Sequence, residues 1–159
     1  MKPASLRELK LELENKSKAE LTEICLQLVR FKLETKELLT YLLMESKDED
    51  AYIEGVKMEM DTLIDHVSQT SNYYINKSAR KILRMVKKQA RYSKKKSTEF
   101  ELIRYYCEQV LTRIQPNGNK ALMAIVTRQI EYLRKSISTM HEDLQYDYNQ
   151  ELDKLQDFR

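Results

Sequence analysis

Glycine stands at only two positions in this chain, 55 and 118, and proline at only two, 3 and 116. These residues make tight turns and stop helices. A sequence of 159 residues that nearly lacks them has to join long regular segments by short turns. The apolar residues say which regular structure. From Ser17 to Glu45, Leu21, Ile24, Leu28, Phe31, Thr35, Leu38 and Leu42 recur at spacings of three and four, which sets them on one face of a helix. Leu26, Val29, Leu33 and Leu43 fall off that face, and a helix apolar on two sides is one that neighbours cover on two sides. The spacing predicts a long helix over 18–45 at the centre of the fold.

The same periodicity runs through the rest. Leu6, Leu9 and Leu13 share a face of a short first helix, and Ser17 with Glu20 makes a capping box for the central one. Ser46 and Glu49 offer a second box before a stripe of Ile53, Val56, Met60, Leu63, Val67 and Thr70. Gly55 interrupts that helix at a cost of about 1 kcal/mol against Ala, which predicts close approach of a neighbouring helix. Small polar residues from Ser68 to Asn72 predict a break. Ala79, Ile82, Leu83, Val86 and Ala90 mark a fourth helix, and Thr98 with Glu101 caps a fifth that carries Phe100, Ile103, Cys107, Val110 and Ile114. Pro116-Asn117-Gly118-Asn119 is a turn. A last stripe of Met123, Val126, Ile130, Leu133, Ile137, Met140 and Leu144 extends toward Leu155. Nothing alternates as a strand does. The reading is all-α: an antiparallel helical bundle of about six helices in a single helical domain, 1–159. Its long helices lie at 18–45 and 119–155, with an acidic C-terminal helix over 141–159.

The opening pattern Leu6-x-x-Leu9-Lys10-x-Glu12-Leu13, then Ser17-x-x-Glu20-Leu21-x-Glu23-Ile24 and Lys36-Glu37-Leu38-Leu39 resembles the start of a set of uncharacterised bacterial helical proteins. The resemblance covers about the first quarter of the chain; it implies a helical fold and supplies no activity to carry over. The Leu9-Lys10-x-Glu12-Leu13 core is also similar to the SAP-type DNA-binding helix–turn–helix, but the turn between Glu14 and Ser17 lacks that module's glycine.

Many chemistries are excluded by what is missing. Two isolated glycines cannot form a phosphate-cradling loop or a dinucleotide fingerprint, and no Gly-x-Ser-x-Gly elbow is present. Leu63 and Ser138 stand three residues before His66 and His141, so the Glu-x-x-His pair of a di-iron bundle fails twice. A calcium loop starting at Asp48 has Ile53 where the turn requires glycine. Asp61 and Asp65 share a helix face from which His66 diverges by about 100°, so they read as solvated surface, as does His141-Glu142-Asp143. No metal and no cofactor is expected. Cys25 and Cys107, the only cysteines, lie beside apolar stripes without a Cys-x-x-Cys and read as buried free thiols of a reducing compartment. Met1-Lys2-Pro3-Ala4-Ser5 lacks a signal-peptide h-region, and Leu38 to Met44 is far too short to span a bilayer. The expectation is a soluble cytoplasmic protein.

Charge carries the one functional signal. Met1 to Asp65 holds 10 basic and 15 acidic residues, His66 to Thr98 holds 10 basic and no acidic ones, and Glu99 to Arg159 holds 8 and 10. A net +10 middle is therefore hidden inside a chain of net +3. Over 77–96, Lys77, Arg80, Lys81, Arg84, Lys87, Lys88, Arg91, Lys94, Lys95 and Lys96 make a basic amphipathic helix. It could neutralise phosphates, with Tyr92 stacking on a base. Against this stands self-pairing: Glu142, Asp143, Asp147, Glu151, Asp153 and Asp157 could lie along the basic helix within the bundle or across a homodimer. Tyr41, Tyr52, Tyr105 and Tyr132 border apolar stripes and should pack with their hydroxyls at the rim, whereas Tyr146 and Tyr148 in the acidic tail offer a contact surface. The first expectation is a non-enzymatic interaction or scaffold protein that binds a protein partner or itself. Nucleic-acid binding through 77–96 comes second, and an enzyme with an interhelical site is a lower alternative. An anionic membrane surface is the weaker polyanion, and no small-molecule substrate is evident.

Overall fold

The computed structural model describes residues 2–155. All regular structure among them is helical, in eight α-helices rather than about six. The chain gathers into two compact units, Met1–Met44 and Glu45–Arg159, where the sequence reading places one domain over 1–159. Residues 156–159 of the acidic helix expected over 141–159, Asp157 among them, lie outside the described residues.

The first unit holds α1 (Leu6–Glu14), α2 (Lys18–Phe31) and α3 (Leu33–Leu43). The box at α2 forms as read. The Ser17 amide donates to Glu20 Oε2 at 2.8 Å, and the Glu20 amide donates to Ser17 Oγ at 3.3 Å. Ser5 and Glu8 make a second box that starts α1. The single helix over 18–45 does not form. Lys32 turns extended (φ −145°, ψ 142°), ending α2 and starting α3, and its carbonyl accepts from the amides of Thr35 and Lys36. The bend brings Cys25, Leu28 and Val29 of α2 against Leu38, Leu39 and Leu42 of α3 around a shallow apolar groove. A straight rod would hold Cys25 and Leu42 about 25 Å apart. Nor is this stretch the centre of the fold: Tyr41 is the only buried side chain of α1 to α3.

The second unit is the bundle. It contains α4 (Glu49–Asp65), α5 (Asn72–Ser93), α6 (Lys96–Gln109, running on as a π-helical turn over Val110–Ile114), α7 (Lys120–Ile137) and α8 (Glu142–Lys154). The helix covered on more than one side is α6, which touches α4, α5 and α7 and buries Phe100, Leu102, Ile103, Tyr106, Cys107 and Val110. The helix expected over 119–155 is interrupted between Ile137 and Glu142, although the apolar stripe keeps its spacing through Met140 and Leu144. That turn lets α8 fold back on α7 and bury Leu152 and Leu155. The break expected at Ser68 to Asn72 is present between α4 and α5. Gly55 is exposed, and a β-carbon there would meet nothing within 4 Å, so close helix approach is not its reason. The boxes at Ser46/Glu49 and Thr98/Glu101 do not form. Asp48 caps α4 by accepting from the Ala51 amide at 3.0 Å, and α6 begins two residues before Thr98.

The buried hydroxyl of Tyr106 donates to the carbonyl oxygen of Ala79 at 3.0 Å. Together with the buried stripe Ile75, Ala79, Ile82, Val86 and Ala90, this bond fixes which face of α5 turns inward and so which face turns out.

Candidate nucleic-acid interface on the basic helix

The outward face of α5 follows from helical spacing. Tyr73, Lys77, Arg80, Arg84, Lys87 and Arg91 are three or four residues apart and lie opposite the buried stripe. Tyr73, Lys77, Arg80, Leu83, Arg84 and Lys87 line a shallow groove of about 530 Å³. Lys77, Arg80, Lys81, Arg84 and Arg91 are exposed, and none of them forms an ion pair with a carboxylate among the described residues. Lys87 is half-buried, with its Nζ over the Tyr132 ring at 5.1 Å from the centroid. The Tyr132 hydroxyl donates to Glu99 at 2.6 Å, and that bond, with burial and the carboxylate charge, pushes the phenol up to about 12.

The basic helix is not continuous over 77–96. It starts earlier, at Asn72, and stops at Ser93. Lys94 adopts a left-handed conformation (φ 58°), and Lys95 and Lys96 belong to the turn and first residue of α6. Two of these lysines are engaged locally: Lys95 pairs with Glu49 at 2.9 Å, and Lys96 donates to Thr139 Oγ1 at 2.8 Å. Tyr92 is buried and cannot receive a base. The aromatic surface lies at the other end of the helix, where Tyr73 and Tyr74 are exposed and pack edge to face, with centroids 5.3 Å apart. Their position in the first turn of α5 was hidden in the sequence because the charge run that defines the helix begins only at Lys77.

Two carboxylates of α8 pair with other helices. Glu151 pairs with Arg104 of α6 at 2.9 Å and Asp153 with Arg134 of α7 at 2.7 Å, so these two α8 carboxylates do not lie along α5. Asp61 and Asp65 converge on Arg113, and Asp61 also accepts from the Tyr105 hydroxyl at 2.9 Å. His66 bonds through Nδ1 to the Thr62 carbonyl at 2.6 Å. These carboxylates thus surround a guanidinium. Tyr148 is not a free contact surface, since its ring stacks on Phe100 at 4.0 Å, although Tyr146 is exposed.

A polar pocket of about 490 Å³ in the bundle is lined by Glu49, Glu54, Lys57, Lys95, Thr98 and Glu101 among others. Lys57 donates to Glu101 at 2.7 Å and to Glu54 at 2.8 Å. Burial acts to lower Lys57, but bonds and charge from Glu101 and Glu54 outweigh it and raise the ammonium above its usual range. Burial likewise acts to raise Glu101, and Lys57 and Arg104 overcome it and hold the carboxyl low. Both groups are therefore held in their charged forms near neutrality, which suits an ion pair and not general acid–base work.

No family model, curated protein or solved structure matches the chain. Among the described residues, no helix is long and apolar enough to cross a membrane.

Proposed function

We propose that this chain is a non-enzymatic interaction protein in which a helical bundle carries an apolar N-terminal helical unit that binds a second copy. One observation supports this most strongly. In the first unit Leu6, Leu9, Leu11, Leu13, Leu26, Leu28, Phe31, Leu33, Leu42, Leu43 and Met44 are all exposed, Phe31 at 84% and Leu33 at 69%. Large apolar side chains gathered on so small a unit mark an association surface. Its charge fits a copy of itself: residues 2–44 hold 8 basic and 7 acidic side chains, so two such units meet with little net repulsion. Sedimentation equilibrium of the full chain tests this. The protein should exceed its 19.0 kDa monomer mass at micromolar concentration, and Leu28→Glu with Phe31→Glu should return it to monomer. A monomer at every concentration refutes the reading.

A second reading has its own observation. The exposed cations Lys77, Arg80, Arg84 and Arg91 of α5 favour binding of a nucleic-acid backbone, whose phosphates would release counterions on contact. Arg80→Glu with Arg84→Glu should abolish oligonucleotide binding and flatten its dependence on salt. Unchanged binding removes this reading.

A further inference from the structure

We infer that α5 takes single-stranded nucleic acid, with Tyr73 and Tyr74 as the platform on which bases stack; this rests on the backbone-binding reading of α5 given above. The ridge lies on one uninterrupted helix. From Tyr73 to Arg91 it runs about 27 Å, with a cation roughly every 5 Å. Its cations Lys77, Arg80, Arg84 and Arg91 are exposed, and no carboxylate among the described residues neutralises them. That charge alone would attract any polyanion.

The aromatic pair narrows the class. Tyr73 is 68% and Tyr74 52% exposed, and among the described residues neither hydroxyl is held by a hydrogen bond as those of Tyr52, Tyr105, Tyr106 and Tyr132 are. The Tyr73 ring borders the same groove as Lys77, Arg80 and Arg84. An exposed ring next to a line of cations can receive an unstacked base while the cations follow the adjoining phosphates. A duplex keeps its base faces inside the stack and offers this platform nothing except at its ends. A lipid surface is disfavoured for a different reason. An amphipathic helix binds a bilayer by burying its apolar face, and in α5 that face is already packed in the bundle core, with Ala79 and Val86 wholly buried.

The test is fluorescence anisotropy on the full chain. The probes are a labelled oligothymidylate of about 16 nucleotides, a duplex of equal length, and phosphatidylserine-containing vesicles, each at low and high salt. The single strand should bind at least about tenfold tighter than the duplex, and the vesicles should bind less than either. Tyr73→Ala with Tyr74→Ala should weaken single-strand binding about tenfold and leave duplex binding unchanged. Tyr73→Phe with Tyr74→Phe should keep the wild-type affinity, because the π-face is retained. Far-ultraviolet circular dichroism checks that the helices persist in each variant. Duplex binding equal to or tighter than single-strand binding overturns the inference, as does an unaffected alanine pair or a preference for vesicles. If Arg80→Gln with Arg84→Gln still weakens binding in those cases, only the single-strand assignment fails. If no oligonucleotide binds even at low salt, the backbone-binding reading fails with it.

Discussion

The hydroxyl of Thr98, on α6, donates to Glu49 at the start of α4 across 2.6 Å. The same carboxylate accepts from Ser93, the last residue of α5, and pairs with Lys95 at 2.9 Å. One side chain thus ties the ends of three helices. Thr98 is fully buried, so removing its acceptor leaves a hydroxyl without water or partner. Hydrogen bonds to a charged group contribute about 1.5–3 kcal/mol. Glu49→Ala should therefore cost about 3 kcal/mol, and Thr98→Val, which removes donor and hydroxyl together, about 1 kcal/mol. Urea denaturation of the two variants measures the difference, and equal losses would show that the buried hydroxyl is not what matters.

Gly55 gives a prediction of opposite sign. It lies within α4, and a β-carbon there meets nothing within 4 Å. Gly55→Ala should raise stability by about 1 kcal/mol through helix propensity and the unfolded chain's lost freedom. Gly118 has φ +73°, a conformation that side chains rarely adopt, so Gly118→Ala should lower stability by about 1 kcal/mol. Thermal unfolding of both variants gives the two signs.

The Lys57–Glu101 pair sets a pH dependence. Glu101 titrates below its ordinary 4.5, so its contribution is complete above that value and is lost as pH falls through the folded-state pKa. Lys57 titrates above 10.5, so its contribution is complete below that value and is lost as pH rises through the folded-state pKa. Glu101→Gln should cost about 1 kcal/mol at neutral pH and progressively less as pH falls through the folded-state pKa of Glu101, flattening the acid limb of the stability curve. Denaturation midpoints across pH check this.

Much of the bundle was legible from spacing, and the errors have common physical causes. Val56, Met60, Val126, Ile130, Leu133 and Ile137 are buried as their stripes imply. Periodicity shows that a face is apolar without showing what covers it. It could not show that Leu28 and Phe31 stay exposed while Phe100 and Ile103 occupy the core. The same limit applies to Cys25, which reads as buried and is exposed, while Cys107 is buried as expected. The bend at Lys32 has no glycine or proline to signal it, because the contacts it makes lie between helices rather than within one. Two capping boxes failed because the helices start elsewhere, α4 at the Asp48 cap and α6 at Lys96, and Glu49 and Thr98, each assigned a local partner, bond to each other. On the candidate interface, the charge run located α5, but burial of Tyr92 and exposure of Tyr73 depend on the phase of the helix against its neighbours.

The central claim, that the apolar N-terminal unit is covered by a second copy, is tested most directly at Cys25. This exposed thiol lines the groove with Leu28, Val29 and Leu42, whereas Cys107 is buried. The measurement is the rate at which a maleimide modifies Cys25, followed by mass spectrometry from nanomolar to high micromolar protein. The rate should fall about tenfold or more as the chain associates and should stay fast at all concentrations in Leu28→Glu with Phe31→Glu. A wild-type rate that is fast and independent of concentration would contradict the account.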